Sequence, residues 1–444
     1  MTECTKRLVF PFFKGAQLTA DFTGGTITSD GGLLLVREFD ERIGFSESFS
    51  KLIYDPRDPR FIVHDQLALI RQRLYQIVAG YEDGNDATLL RKDSLFKAIA
   101  GRRPEDVDLG SQPTFSRLEN RIRPGDLEDL NDEMVRTFIR TRKEPLSEIT
   151  LDIDPSEART YGQQELTSYN GHYDSYMYFP QFVCDAKSRF LLAAVLRPGK
   201  VSAAQGAVLL LSRIVGLLRA AWPKIKIYVR ADSNFAEPHL LNWLEEEAIA
   251  YTIGIGQNTA LEALSAEFVR TIEAQFEATG QAQRSLTSIS YQTRKSWDHP
   301  RRIVVKVEVT KLGTNVRYVI ATKGGRSKDL YAWYAERGGT IEDVIEQLKN
   351  GYEADRMSCH RFEANAFRLL LHSAAYNLML LFREQIAIPD LANADIQTLR
   401  IKLIKVGGRI ERTARRIWVK LSSSWPFAPH FQKAARAVIP LASG

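Results

Sequence analysis

Residues 148–154, EITLDID, constrain the fold of this chain more than any other segment. Apolar and polar residues alternate there. This predicts a β-strand with Ile149, Leu151 and Ile153 on one face and Thr150, Asp152 and Asp154 on the other. Two carboxylates in an otherwise hydrophobic strand lose several kcal/mol of hydration unless something compensates them. The texture that follows fixes the fold class. Strand-like runs at 176–184 and 188–196, joined by the turn Asp185-Ala186-Lys187, complete a three-stranded antiparallel meander. A helix over 203–219, a strand over 224–230, a helix over 238–247 and a strand over 250–255 come next. Strands followed by alternating helix and strand predict a mixed α/β sheet flanked by helices.

That order is interrupted from about residue 258 to 330 by a helical piece at 261–278 and three strand-like runs, 285–293, 302–310 and 316–323. A Gly-Thr-Asn hairpin signal at 313–315 joins the last two. Helices resume at 340–351 and 359–385. The first 145 residues are mainly helical and polar. An extended lead-in at 18–28 precedes a helix that Ser29-Asp30 can cap and that runs through Leu33, Leu34, Val36 and Phe39. Residues 64–79 carry apolar side chains at helical spacing. SQPTFSRLEN at 111–120 reads as a turn entering a basic helix that suits a DNA groove or a plain surface. A further helix at 127–141 ends in a basic cluster.

Composition excludes several classes. Cys4, Cys184 and Cys359 lie far apart, so no disulfide framework or Cys-rich zinc site is expected. Seven histidines show no ligand spacing, and the Gly-Gly pairs sit in no phosphate-binding loop. The N-terminus lacks an apolar leader, and residues 364–385, the most apolar helix, are interrupted by Arg368, His372, Asn377 and Arg383. A membrane span would not tolerate these. A cytoplasmic protein with no membrane partner is expected. The net charge of +6 is unevenly placed: from Arg400 onward ten Lys and Arg face the single acid Glu411, about +9 in all. Such a segment, with Arg409, Arg412, Arg415 and Arg416 at its centre, is an electrostatic footprint for phosphate backbones; the plainer reading is a solubilising tail. Apolar residues interleave with the basic ones, so the tail is expected to fold.

Three acidic positions fall where an α/β core can bring them together. They are the Asp152/Asp154 doublet, Asp232 at the end of IYVRAD, and a helix face carrying Glu342, Glu346 and Lys349. Ligands bind at the carboxyl ends of strands in open α/β sheets. Carboxylates at i, i+4 repel unless a cation lies near. Hard divalent metals choose oxygen ligands, and a pair of them activates a water or 3′-hydroxyl in phosphodiester chemistry. Alone, Asp232 could be a helix cap and Glu342 or Glu346 a solvated helix residue.

Taken in order, these motifs resemble the DDE transposases of bacterial insertion sequences, in the branch whose RNase H-like catalytic core is split by a β-strand insertion. LDIDPS at 151–156 is similar to the strand of the first acid, and TYGQQE and SYNGHY follow it. RADSNF at 230–235 resembles the strand end of the second acid. The branch's Tyr-x-x-Arg, glutamate and lysine map onto Tyr334, Arg337, Glu342 and Lys349, with four residues between Arg337 and Glu342 where that pattern usually has three. SDGGLLLVRE, SQPTFSRLEN, the segment from Met357 to Asn365, and AAYNL at 374–378 extend the resemblance over nearly the whole chain.

The resemblance implies that Asp154, Asp232 and Glu342 bind two Mg²⁺ ions, with Mn²⁺ as a substitute; Asp152 and Glu346 are the alternative acids. It implies that Tyr334, Arg337 and Lys349 hold the phosphates and bases near the scissile bond. The expected organisation is a helical DNA-binding domain at 1–145, an RNase H-like core at 146–257 and 331–390, the β-rich insertion at 258–330, and a basic C-terminal segment at 391–444. The activity implied is binding of inverted-repeat ends in double-stranded DNA, hydrolytic cleavage, and joining of 3′-hydroxyls to target DNA. A homodimeric synaptic complex at the bacterial nucleoid is expected. The alternatives are a metal-dependent nuclease without strand transfer and a non-catalytic end-binding repressor.

Overall fold

The computed structural model describes residues 7–440, so Cys4 and the last four residues of the basic segment lie outside it. The chain forms two compact units. One comprises residues 52–54 and 119–377; the other comprises residues 1–51, 55–118 and 378–444.

The first unit is built on an eight-stranded mixed sheet. Its strands in chain order are β1 (Glu148–Pro155), β2 (Gln181–Asp185), β3 (Leu191–Val195), β4 (Lys226–Ala231), β5 (Ala250–Ile255), β6 (Gln283–Tyr291), β7 (Arg301–Thr310) and β8 (Gly313–Ala321). Their spatial order is β6-β7-β8-β5-β4-β1-β2-β3. β1, β4 and β5 run parallel at the centre, and every other pairing is antiparallel. The helices are α1 (Pro124–Thr141), α2 (Ala207–Ala221), α3 (Pro238–Glu246), α4 (Thr259–Thr279), α5 (Ser327–Ala335), α6 (Asp343–Tyr352) and α7 (Phe362–Ile386). The meander β1-β2-β3 followed by parallel β4 and β5 is the RNase H-like arrangement. The strands of residues 283–321 continue this same sheet, because β8 pairs with β5 from Thr252↔Ala321 to Ile255↔Tyr318. Helix α4 joins that extension through Ser265, whose hydroxyl lies 2.8 Å from the Tyr318 hydroxyl.

Local differences from the sequence reading have simple causes. Residues 176–184 do not form one strand. Ser175–Tyr178 pairs into a small sheet with Ala158–Arg159 and Ser168–Asn170, and the chain enters β2 only after Phe179-Pro180. The β7–β8 turn is Lys311-Leu312, with Thr310 opposite Gly313, so Gly313-Thr314-Asn315 belongs to the strand. Gly313 still matters there: its φ of +113° suits glycine and lets a two-residue loop close the hairpin. Three of the polar residues that interrupt α7 find partners within this unit. Arg368 binds Glu119 at 2.9 Å, His372 meets the Tyr352 carbonyl, and Asn377 bridges the backbone N–H and C=O of Leu191. Among the described residues no helix is long and apolar enough to cross a membrane.

The second unit joins both ends of the chain. Leu8–Phe10 and Leu18–Ala20 form a two-stranded ribbon. Ile27–Thr28 adds a third strand to the hairpin of Gly408–Arg412 and Ile417–Leu421. The helix expected after Ser29-Asp30 begins at Leu33 with no side-chain cap. Asp30 is buried instead, and accepts from Lys405 Nζ at 2.7 Å and from the Tyr81 hydroxyl at 2.9 Å. The two glycines after it dock on the C-terminal segment: Gly31 N–H donates to Val406 O and Gly32 N–H to Ile404 O. A Cβ on Gly32 would collide with the Leu403 carbonyl and the Ile404 backbone. Neither neighbour is a flexible side-chain tip, so the chain cannot yield cheaply. Gly32→Ala is therefore expected to destabilise this unit by about 3 kcal/mol or more, at the upper end of overpacking costs. Chemical denaturation would show it; a loss under about 1 kcal/mol would refute the close approach.

Candidate active site

The register of two strands creates the site. β1 and β4 are parallel, with Arg230 opposite Asp152 and Ala231 opposite Ile153. One residue further, the same register brings Asp232 beside Asp154 at the carboxyl ends of both strands, where open α/β sheets bind ligands.

The two aspartates of β1 share a face but differ in role. Asp152 is fully buried and accepts from Arg230 Nε at 2.7 Å and Nη2 at 2.8 Å. Arg230 is buried too, donates from Nη1 to the Trp333 carbonyl at 2.6 Å, and lies over the Trp333 ring. Burial pushes the Asp152 carboxyl up from the usual range while Arg230 opposes it. The alternative first acid thus has both oxygens committed to a structural pair.

Asp154 opens instead into a cleft of about 490 Å³ lined also by Asp232, Glu342, Glu346 and Lys349. The Asp154 carboxyl is pushed up to about 7, first by burial and then by the charges of Asp232 and Glu342, against the pull of Arg337. Asp232 also caps the short turn Ser233–Phe235, accepting from Asn234 N at 2.9 Å, so the plain cap reading and the site reading hold together. Glu342 has an exposed side chain, and Glu346 shares its helix face along the cleft. Of the two glutamates, Glu342 is the one in an ion contact with Arg337 and the one whose charge acts on Asp154.

Arg337 sits among these acids. Its Nη1 donates to Asp154 Oδ2 at 2.8 Å, and its Nη2 lies 3.8 Å from Glu342 Oε1. Burial, the largest single influence, lowers the guanidinium pKa, but Asp154, Tyr334 and Asp232 together outweigh it and the net direction is upward. Between Arg337 and Glu342 the backbone makes a π-helical turn, Gly338–Glu342. A π turn is a helix holding one extra residue. It leaves Glu342 on the acid cleft and Arg337 within reach of both Asp154 and Glu342. Arg189 anchors the turn, donating to the Gly339 carbonyl and pairing with Asp343, each at 3.2 Å.

Tyr334 is placed differently. Its ring lines a neighbouring cleft of about 410 Å³ with Ser233, Gly254 and Arg317, and the strand-end turn 232–234 divides that cleft from the acids. Gly254 makes room for it, since a Cβ there would lie 2.7 Å from the Tyr334 hydroxyl. The sequence reading assigned no role to Tyr173, Asn234 or Asn350, which also line the acid cleft. The signal for two of them was present, because Tyr173 ends SYNGHY and Asn234 lies within RADSNF.

Among the described residues no three His, Cys, Asp or Glu side chains stand close enough together to hold a metal ion as they are. The donor set nevertheless fits one: all-oxygen, drawn from two strand ends and an exposed glutamate, and already attracting a cation in Arg337.

The basic segment carries less available charge than its sequence suggests. Arg400 is buried and donates to the Ile77 and Val78 carbonyls at the end of a helix, and Lys405 is held by Asp30. Arg409 and Lys420 pair with Glu411, and Arg412 pairs with Glu105. Arg415 and Arg416 are exposed at the hairpin tip, where Arg416 lies over Trp418.

Over residues 10–443 the sequence matches the family described as transposase DDE domain group 1. The chain belongs to this family. No curated protein matches it. A cryo-EM structure of the piggyBac transposase synaptic complex with hairpin DNA is similar over 90% of this chain and 82% of its own, with 14% identity and a TM-score of 0.41.

Two expectations follow. Asp152→Ala leaves Arg230 buried without its bidentate partner, so it should cost about 3–5 kcal/mol, while the double change Asp152→Leu, Arg230→Met should cost less. Asp154→Asn removes a buried charge and keeps an acceptor for Arg337, so in EDTA its melting temperature should be no lower than wild type. Thermal melts of the four proteins decide this; equal losses from Asp152→Ala and Asp154→Asn would erase the distinction drawn between the doublet's members. For the basic segment, each phosphate contact contributes about −0.9 to the slope of log K against log salt. Changing Arg415 and Arg416 together to Ser should flatten that slope by about 1 to 2 units, and Arg412→Ser by less. An unchanged slope in the double variant would assign the hairpin tip to solubility alone.

Proposed function

We propose that this transposase binds inverted-repeat ends of an insertion sequence, cuts them by Mg²⁺-dependent hydrolysis and joins the 3′-hydroxyls to target DNA. The observation that carries the reading is the single cleft shared by Asp154, Asp232 and Glu342 at the carboxyl ends of the central parallel strands. These three carboxylates would hold the ions. When bound there, a pair of divalent ions supplies an activated water or 3′-hydroxyl and stabilises the leaving oxygen.

The chain's own residues do the rest. Asp154 and Asp232 are fixed by strand register, so their spacing needs no ordering at the moment of reaction. Glu342 stands on an exposed helix end and can adjust to complete the set. Lys349, one helical face further along the same cleft, offers a point charge to a phosphate, and Arg337 offers a fork. Tyr334 in the adjoining cleft presents a ring on which a base can stack. The exposed hairpin tip and the helical N-terminal region would supply end recognition, and a homodimer would bring two ends together.

Asp154→Ala, Asp232→Ala and Glu342→Ala are each expected to abolish cleavage while leaving end binding nearly intact, since basic residues dominate affinity. A supercoiled plasmid carrying paired element ends separates the readings. Joined products support transposition, cleavage without joining identifies a nuclease, and binding without cleavage identifies a repressor. Cleavage surviving in Asp154→Ala would remove the site from this cleft.

A further inference from the structure

The cation held by the acids of the cleft is part of the protein. Arg337 reaches two of the three acids with the two arms of one guanidinium: Nη1 to Asp154 at 2.8 Å and Nη2 towards Glu342 at 3.8 Å. Both Asp154 and Arg337 are largely shielded from water there, so the attraction is only weakly screened. A divalent ion seated on the same oxygens at about 2.1 Å would face that guanidinium at close range, with like charges repelling. The two cations therefore compete for one seat. The backbone around Arg337 is suited to an exchange. Two glycines follow it directly, and the π turn ends at Glu342 itself. Glu342, being exposed, has room to change rotamer as Arg337 leaves.

We infer that Arg337 is a tethered cation that fills the metal seat until a divalent ion displaces it, and that the displaced guanidinium then serves the DNA phosphate. This rests on the reading of Asp154 and Glu342 as metal ligands, and it adds a consequence to that reading. Metal and DNA each favour the state in which Arg337 has left the acids. By linkage each must tighten the binding of the other, through this one side chain. The arrangement keeps the ion loosely held away from DNA and tightly held on it, which restrains stray hydrolysis.

The test is Mn²⁺ binding to the full chain by calorimetry and by the electron paramagnetic resonance of free Mn²⁺, without DNA and with a short non-specific duplex. Wild type should bind Mn²⁺ weakly alone and at least about tenfold more tightly with the duplex, a coupling within the usual range. Arg337→Gln should bind Mn²⁺ at least about tenfold more tightly than wild type without DNA, and gain little from the duplex. Arg337→Lys, which keeps the charge but loses the fork, should fall between them. A purely structural role for Arg337 predicts the opposite sign, with weaker Mn²⁺ binding in the variant. Equal or weaker binding by Arg337→Gln, in protein that circular dichroism shows to be folded, overturns the exchange. Asp154→Asn and Glu342→Gln separate this from failure of the site itself. If they lose Mn²⁺ binding while Arg337→Gln matches wild type, the ligands stand and the exchange fails. If they bind as wild type does, both fail together.

Discussion

The site depends on one buried ion pair, Asp152 with Arg230. It joins the two central strands at opposed positions, so it fixes which residue of β1 faces which residue of β4. A slip of one residue would turn the whole polar set of β1 to the other face of the sheet. Asp154 would then no longer lie beside Asp232. Burial pushes the Asp152 carboxyl upward despite the arginine, the desolvation that any enclosed ion pair carries. What it contributes is registry. The third arm of Arg230 extends that registry to α5 through the Trp333 carbonyl, and α5 leads directly to Tyr334 and Arg337.

Strand β1 thus carries two Asp–Arg pairs on one face, and the difference between them separates scaffold from chemistry. The inner pair is bidentate, fully enclosed, and made by residues that both belong to strands. The outer pair makes one short contact, lies at the mouth of a cleft, and takes its arginine from a helix end followed by two glycines. The first arrangement cannot be undone without unfolding the sheet; the second can be exchanged at the cost of a few torsions.

Much of this was legible in the sequence because strand alternation and strand ends are local signals. EITLDID gave the face, IYVRAD the strand end, and the spacing of Glu342, Glu346 and Lys349 the helix face. Which member of the Asp152/Asp154 doublet opens to the cleft was not legible, since the partner that claims Asp152 is Arg230, far away along the chain. The same limit applies to the basic segment. Its ten cations count equally in a sequence, yet Arg400, Lys405 and Arg412 are partnered by carbonyls and acids from elsewhere in the fold, and Arg409 and Lys420 both pair with Glu411. Strand boundaries such as Phe179-Pro180, and a turn at Lys311-Leu312 rather than at the glycine signal, depend on pairing partners that local pattern does not name.

The π turn between Arg337 and Glu342 shows how a local irregularity can set the geometry of a site. In a regular α-helix each added residue rotates everything after it by about 100°. A regular α-helix over the residues of this turn would therefore present Glu342, and with it Glu346 and Lys349, on a different face. The π turn makes a single wider loop of backbone between Arg337 and α6, and Glu342, Glu346 and Lys349 line the same cleft after it. That wider turn has weaker internal restraint, and it is held from outside by Arg189 through the Gly339 carbonyl and Asp343. The helix carrying the third acid is therefore in phase with the two strand ends because a supporting arginine and a backbone irregularity compensate each other. The same irregularity begins directly after Arg337, so the cation and the third acid stand at its two ends.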